Sequence, residues 1–268
     1  MILKDTHYID EFSSYYIPGV EKVIIRSVVI PTLTEDDLFS FEYDYETYNF
    51  DIHFNLSGLV FKVIKYKSAD KSISRTYIFE YDSSGRPTSF TELYGDEAKH
   101  NLTSTITYDD KGRVVARKQL SRGFLGNNDE EVNISYTYEE KKETITVSQN
   151  GIVEETIMKS YVYAKNGKIN KIMYYDASEL YQGFEEFIFD PTVGLIRSHI
   201  SKEADNTVNY KESYSYNQIN DLKTYIYRSS NYNLNWRYEY NYLNKKIWSD
   251  KFCYLENRLM LITNRTLN

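Results

Sequence analysis

An aromatic residue recurs through most of this chain at intervals of 24 to 30 residues. Two copies are nearly identical, the segments YDSSGR at 81–86 and YDDKGR at 108–113. A second large apolar residue precedes each aromatic by two positions. The eight recurring aromatics are Phe54, Tyr81, Tyr108, Tyr138, Tyr163, Phe189, Tyr216 and Tyr240. This repetition constrains the fold more than any other feature, because each copy is expected to form the same supersecondary unit.

Apolar and polar residues alternate within each copy with a period of two, which predicts a β-strand with one buried face. This strand ends at the recurring aromatic residue. A second apolar-rich segment follows the turn, as at 86–94 and 114–120. Each copy is therefore predicted to be a β-hairpin, and eight copies predict about sixteen antiparallel strands.

Short polar turns join the two strands of most copies. The turn at 82–85 starts with aspartate, which can accept hydrogen bonds from the turn backbone, and ends with glycine, which can adopt a positive φ. Asparagine takes the glycine position in the last two copies, and the sequence EEKK at 139–142 departs from the pattern. The glycines predicted to have this structural role are Gly58, Gly85, Gly112, Gly167 and Gly194.

The sequence thus predicts an all-β protein, an antiparallel meander of about eight hairpin repeats that forms a curved or spiralling sheet. Residues 50–268 supply the repeats. Residues 1–49 are expected to form an acidic N-terminal cap of the same structural domain. Within it, Tyr8 to Tyr16 follow the spacing of a short helix, and 23–30 and 39–45 read as strands. The helix is expected to cover one open edge of the sheet.

The unit Tyr-x-Tyr/Phe-Asp-x-x-Gly-Arg resembles the YD repeat, also called the RHS repeat. The resemblance covers residues 50 to about 250 and is specific at 81–86 and 108–113. It implies a spiral of antiparallel hairpins, like those that form shells around toxic cargo in bacterial toxins and barrel-like modules in animal surface receptors. The self-cleavage of the toxin shells is not implied, because the Asp-Pro pair at 190–191 lies in the middle of this chain.

Composition limits the location and the partners. Aromatic residues make up 16% of the chain, which argues against disorder. The single cysteine, Cys253, fits a reducing compartment. No segment approaches the roughly 18 apolar residues of a membrane-spanning helix, and the first residues lack the apolar core of a signal peptide. We therefore predict a cytoplasmic location without membrane contact, and the net charge of −7 argues against nucleic-acid binding.

No combination of residues indicates catalysis or a metal site. Neighbouring acids such as Glu185 and Glu186 would point to opposite faces of a strand and could not act together as glycosidase carboxylates. No phosphate-binding loop or serine-hydrolase motif is present. The histidines lack metal-ligand spacing and are interpreted as surface or hydrogen-bonded residues: His7, His53, His100 and His199. The sequence therefore predicts no cofactor, no metal and no enzymatic activity.

Charge is distributed unevenly along the chain. Residues 27–61 hold seven acids and no Lys or Arg, whereas residues 222–268 hold eight bases and three acids. We expect a basic protein partner, bound by the acidic residues Glu35, Asp36, Asp37, Glu42, Asp44 and Glu46. The first hypothesis is a non-enzymatic protein-binding repeat protein, in its concrete form an immunity protein that neutralises a bacterial toxin. The alternative is a carbohydrate-binding or cell-surface-binding module with exposed Tyr and Trp; a lyase or hydrolase is the least favoured.

Overall fold

The computed structural model describes residues 18–29, 49–67, 72–95, 101–122, 129–230, 234–244, 247–255 and 258–267. These residues form strands and turns, and none of them belongs to a helix long and apolar enough to cross a membrane. The predicted N-terminal helix, the predicted strand at 39–45 and the acidic loop lie outside the described residues.

Eighteen antiparallel strands form one sheet in chain order. They are β1 (Lys22–Val29), β2 (Phe50–Phe54), β3 (Val60–Tyr66), β4 (Ile73–Tyr81), β5 (Pro87–Tyr94), β6 (Asn101–Tyr108), β7 (Val114–Ser121), β8 (Glu130–Glu139), β9 (Lys142–Gln149), β10 (Ile152–Tyr163), β11 (Ile169–Tyr175), β12 (Tyr181–Phe189), β13 (Ile196–Glu203), β14 (Val208–Tyr216), β15 (Leu222–Ser229), β16 (Leu234–Asn244), β17 (Ile247–Leu255) and β18 (Arg258–Leu267). The predicted all-β antiparallel meander is confirmed.

The sheet closes into a barrel because β1 pairs on both sides. Four residue pairs join β1 to β2, from Lys22 opposite His53 to Ile25 opposite Phe50. Seven pairs join β1 to β18, beginning with Val23 opposite Leu267. The predicted curved or spiralling sheet with two open edges is therefore wrong. Closure removes the unpaired N–H and C=O groups that such edges would expose. It depends on β1 and on β18, a strand that the repeat did not predict.

The pairing register assigns each strand residue to one of two faces. One face runs from Ile25 to its partner Phe50 and continues around the ring through pairs such as Ile52 with Val63. These four side chains are 0 to 2% exposed. Side chains on the convex outside of a closed barrel would be exposed to solvent, so this face points inward. The opposite, outer face is mainly polar, with residues such as Lys118 paired to Thr105.

The inner face changes character around the ring. From β1 to β5 it is a sealed apolar cluster, and a smaller cluster of Ile134, Ile145 and Val147 continues it on β8 and β9. From β10 to β15 the inner face carries tyrosines and charged residues that are mostly half-buried. We call this part, the inner-face residues of β10 to β15, the tyrosine wall.

The barrel has two ends that differ in their loops. The eight turns that join the two strands of each predicted repeat lie at one end, called the hairpin end. The links between repeats, together with the long connection from β1 to β2, join strands at the other, called the connection end. The turn after β8 is short: two residues, Glu140 and Lys141, separate β8 from β9, and the φ of Glu140 is +43°.

Candidate functional site

The repeated YD motif makes a self-contained turn. One carboxylate oxygen of Asp82 accepts hydrogen bonds from the backbone N–H groups of Ser84 and Arg86, both at 2.9 Å. The other oxygen accepts the guanidinium of Arg86 at 2.7 Å. Backbone N–H donors and the Arg86 side chain hold the pKa of Asp82 below its usual range. The second specific copy, from Asp109 to Arg113, makes the same contacts.

The tyrosine of the motif connects neighbouring hairpins. The hydroxyl of Tyr81 donates to the backbone carbonyl of Val60, in the preceding hairpin, at 2.6 Å. Burial raises the pKa of Tyr81 to about 12. Four further tyrosines donate in the same way to a carbonyl 20 to 24 residues earlier in the chain: Tyr108, Tyr138, Tyr216 and Tyr242.

The arginine, for which the sequence offered no role, covers the tyrosine of the next hairpin. The guanidinium carbon of Arg86 lies 4.7 Å from the ring centre of Tyr108, and that of Arg113 lies 4.4 Å from the ring centre of Tyr138. Cation–π contacts of this kind stabilise the packing of successive hairpins. The residues of the most recognisable motif in the sequence therefore form contacts that stabilise the barrel.

The predicted site residues fall into two groups. The five turn glycines all have a positive φ, between +67° and +79°. The acidic residues predicted to bind a partner lie outside the described residues, so only the sequence and the chain connection place them: they belong to the segment that joins β1 to β2 at the connection end.

The tyrosine wall contains the main cluster of charged groups on the inner face. Glu185, His199 and Glu212 lie near the middle of three consecutive strands, β12 to β14, and His199 is directly opposite Glu212 in the register. The Nδ1 atom of His199 lies 2.7 Å from a carboxylate oxygen of Glu212, and its Nε2 atom lies 3.3 Å from Glu185. The imidazole is also stacked on the ring of Phe187, with the ring centres 4.4 Å apart.

Tyrosines surround both carboxylates. The hydroxyls of Tyr214 and Tyr225 each donate to Glu212 at 2.8 Å, and Tyr174 and Tyr210 interact with Glu185. The rings of Tyr214 and Tyr225 also pack against each other, with their centres 5.3 Å apart. The carboxylate of Glu212 is therefore held in place by three groups, the two tyrosine hydroxyls and the Nδ1 atom of His199.

This arrangement keeps the imidazole protonated. Burial alone would lower the pKa of His199, but hydrogen bonds and attraction to Glu185 and Glu212 outweigh it and raise the pKa to about 9. Burial would raise the pKa values of the two glutamates, but His199 and the tyrosine hydroxyls lower them overall. The cluster is therefore an imidazolium between two carboxylates at neutral pH.

A second charged pair extends the cluster. On the adjacent strands β9 and β10, the Tyr161 hydroxyl donates to Glu143 at 2.5 Å, and the Lys159 amine lies 3.5 Å from the same carboxylate. Together with Glu185, His199 and Glu212, these residues carry a formal charge of −1, because three carboxylates face one ammonium and one imidazolium.

The cluster is a network of ion pairs and hydrogen bonds. Among the described residues, no group of three or more His, Cys, Asp or Glu side chains has an arrangement that could hold a metal ion. Nucleophilic catalysis would need a nucleophile beside a neutral base, whereas His199 is protonated. As the sequence predicted, Glu185 and Glu186 lie on opposite faces: Glu186 is paired with Lys171 on the outer face.

The sequence interpretation of His199 as an isolated residue missed this cluster. A signal was available, since Glu185, His199 and Glu212 are separated by 14 and 13 residues, half of the repeat length of about 27. Residues half a repeat apart lie on adjacent strands at similar heights, so they can meet when the pairing register allows it.

The two barrel ends differ in charge. The nine segments at the connection end contain fourteen acids and four bases, a formal charge of −10. The eight turns at the hairpin end contain six acids and eight bases, a formal charge of +2; adding the 21 residues that precede β1 brings this to −1. These sums follow from the chain order. Among the described residues alone, the connecting segments contain four acids and two bases, and the hairpin turns contain six of each.

Comparisons with known proteins give structural neighbours of the barrel only. No protein-family model matches the sequence, and no curated protein matches it. Among solved structures, a porin-like protein from Bacteroides uniformis ATCC 8492 aligns over 95% of this chain and 99% of its own, at 11% identity and a TM-score of 0.31. A porin-like protein from Bacteroides vulgatus ATCC 8482 aligns over 75% and 95%, at 12% identity and a TM-score of 0.31. The TcdB2-TccC3-Cdc42 structure aligns over 84% of this chain and 17% of its own, at 10% identity and a TM-score of 0.20. At these scores the similarities carry no argument about function.

The sequence-based exclusion of a membrane is wrong, and so is the cytoplasmic location that depended on it. Both were argued from the lack of apolar runs long enough for a membrane-spanning helix. The chain instead closes into an 18-stranded barrel, a fold that this criterion does not address. A closed barrel satisfies every backbone hydrogen bond between strands, so the helix criterion does not apply to this fold.

Proposed function

We propose that this chain is a non-enzymatic protein-binding module of the YD-repeat type, which binds a basic protein at its connection end. The charge difference between the two barrel ends, −10 against +2, carries this proposal. Charges concentrated on one end of a protein produce a field that steers an oppositely charged partner towards that end.

The contacts of individual acidic residues also favour the connection end as the binding site. At the hairpin end, Asp82 and Asp190 form ion pairs with Arg86 and Arg197. At the connection end, the carboxylate of Asp176 instead accepts backbone N–H groups and the amide of Gln182. Acids whose charge is balanced nearby contribute little to the external field, whereas acids capped by neutral donors keep their full negative charge.

The specific form of the proposal is an immunity protein that neutralises a basic toxin domain. The absence of a nucleophile–base pair in the tyrosine wall favours binding over catalysis. A carboxylate-rich end suits a toxin whose active surface is basic, because occupying that surface would block its substrate. This specific form relies on analogy with the systems in which YD-like sequences recur.

The test measures binding of the captured and purified partner to two charge variants of the intact chain, one for each barrel end. In the first, Glu35, Asp36, Asp37, Glu42, Asp44 and Glu46 are replaced by the corresponding amides. In the control, Asp110→Asn and Glu140→Gln remove acids at the hairpin end. We expect the first variant to bind at least about 100-fold more weakly, a loss of roughly 2.7 kcal/mol, with a flatter salt dependence, and the control to bind like the wild type.

Three results would contradict the proposal. The first is an affinity that does not change with salt concentration. The second is an equal loss of binding in both variants. The third is a partner that is acidic rather than basic. For the specific form, co-production of the chain with the partner should protect cells from a toxic partner, and protection should be lost with the six-residue variant.

A further inference from the structure

The tyrosine wall borders an open space inside the barrel. Its central side chains lie at mid-strand and point inward, yet His199, Glu212 and Glu185 remain 15%, 18% and 23% exposed. On the opposite part of the inner face, Ile25 and Phe50 are 0% and 2% exposed. Inward-pointing side chains at mid-strand can be exposed only to an interior space, so the exposure marks a chamber beside the wall.

The dimensions of the barrel allow such a chamber. With strands about 4.8 Å apart and tilted by about 36°, an 18-stranded barrel of circular section has a backbone diameter of roughly 34 Å. The fully buried side chains on β1 to β5 are covered on their inward side, so the open part of the interior lies beside β10 to β15. Barrels of 16 to 18 strands generally leave a solvent-filled interior.

The charged and aromatic side chains that face this chamber are suited to binding a cation. The cluster that Glu143 on β9 forms with Lys159, Glu185, His199 and Glu212 contains three carboxylates, one imidazolium and one ammonium, a formal charge of −1. The carboxylate of Glu212 is already oriented by Tyr214, Tyr225 and His199, so binding a cation needs little rearrangement. Aromatic rings beside the carboxylates add cation–π attraction.

The same hydrogen bonds disfavour other ligand classes. A neutral sugar needs free donors as well as acceptors, but the hydroxyls of Tyr161, Tyr214 and Tyr225 already donate to glutamates. An anion would face the three carboxylates. We propose that the tyrosine wall lines a binding chamber for an organic cation that carries alkylammonium or guanidinium groups. The acidic connection end would raise the local concentration of such a cation.

Calorimetric titration of the intact protein with spermine, as the probe cation, tests this proposal. Glu185→Gln combined with Glu212→Gln removes two charges but keeps the size of both side chains. We expect this double variant to bind spermine at least about tenfold more weakly than the wild type. Glu239→Gln is the matched control: Glu239 lies on the outer face, 2.6 Å from Arg237, and its loss should change the affinity by less than about twofold.

A second readout reports on the chamber itself. Bound spermine would add positive charge near the imidazolium, so the pKa of His199, followed by nuclear magnetic resonance, should fall when spermine is added. If the double variant does not unfold cooperatively in urea, the single variant Glu212→Gln replaces it. The proposal is wrong if spermine shows no saturable binding, or if the double variant binds it like the wild type.

The amide variant of the acidic segment separates this proposal from the proposed function. If spermine binding is lost there but kept in the Glu185 and Glu212 double variant, the polyamine binds at the barrel end and the chamber proposal fails. Tighter binding of maltohexaose than of spermine would overturn the choice of ligand class. None of these results depends on the protein partner, so either proposal can fail alone.

Discussion

At the scale of single residues, the YD motif is explained by contacts within one hairpin and with the next. Asp82 organises its own turn, Tyr81 bonds to the preceding hairpin, and Arg86 joins that aspartate to the ring of Tyr108. Each contact uses a different part of the motif. The motif therefore stabilises the sheet, and these contacts do not involve a ligand.

Replacing Tyr81 by Phe should lower the free energy of unfolding by about 1 kcal/mol, because the carbonyl of the fully buried Val60 would lose its hydrogen-bond donor. Urea denaturation measures the change. Tyr163→Phe is the control, since Tyr163 holds the equivalent position in another repeat but is 45% exposed. Equal losses in the two variants would show that the inter-hairpin hydrogen bond contributes nothing measurable.

Gly183→Ala should be severely destabilising, by more than about 3 kcal/mol, or should prevent folding. The φ of Gly183 is +141°, and a Cβ there would lie 2.2 Å from the carbonyl oxygen of Lys202 on the neighbouring strand. At Gly95, φ is +64° and a Cβ would meet no atom within 4 Å, so Gly95→Ala should cost only about 1 kcal/mol. Urea denaturation compares the two variants, and similar losses would rule out a steric cause.

At the scale of elements, strand pairing creates the charged cluster of the tyrosine wall. Glu185, His199 and Glu212 each lie on a different strand, and none has a charged partner among its neighbours in the chain. Adjacent antiparallel strands bring His199 within 3.3 Å of both carboxylates. The protonation of His199 is therefore a property of three strands together.

The stability of the barrel should fall as the pH rises from 7 to 9.5. The folded-state pKa of His199, about 9, exceeds its ordinary value of 6.5, so its stabilising effect is complete below about pH 6.5 and is lost as the pH passes about 9. We expect a loss of about 1 to 2 kcal/mol, measured by urea denaturation at each pH.

The His199→Gln variant should not show this fall. The surrounding tyrosines, Tyr174, Tyr210, Tyr214 and Tyr225, have raised pKa values and stay neutral over this range. His53→Gln is the control, because burial lowers the pKa of His53 and the wild-type residue is already neutral at pH 7. An identical pH profile in wild type and His199→Gln would show that the imidazolium does not stabilise the fold.

At the scale of the whole molecule, closure depends on strands at the two extremes of the described chain. β1 and β18 are separated by more than 200 residues, yet they are paired over seven residues. Without β18, both β1 and β17 would present an unpaired edge. Such edges recruit other chains and promote aggregation.

A chain that ends after Leu255 should therefore aggregate or unfold without cooperativity. Circular dichroism and analytical ultracentrifugation would measure this. The control is a circular permutant that joins Asn268 to Met1 and opens the chain between Asn150 and Gly151, the two-residue link between β9 and β10. It keeps all eighteen strands, and β1 and β18 meet at the hairpin end, so it should stay folded and have the same sedimentation behaviour as the wild type. A soluble, cooperative truncated chain would show that closure is dispensable.

Much of the fold could be predicted because each hairpin is formed by residues that are close together in the chain. The predicted second strands at 86–94 and 114–120 agree within one residue with β5 (Pro87–Tyr94) and β7 (Val114–Ser121). The candidate site could not be predicted in the same way. The sequence of a single strand relates Glu185 only to its neighbour Glu186 and leaves His199 isolated, because it does not contain the residue that lies opposite in the next strand.

By itself, the sequence determined the hairpins, their turns and the alternation of two faces, since all three depend on residues within about ten positions of one another. Only the tertiary structure decided that the sheet closes, which face points inward, and which charges meet there. Closure depends on the number of strands and on the twist and register accumulated over all of them, and no single repeat contains that information. The charge of the two barrel ends follows from both, because the sequence supplies the acids and the meander sorts the loops to one end or the other.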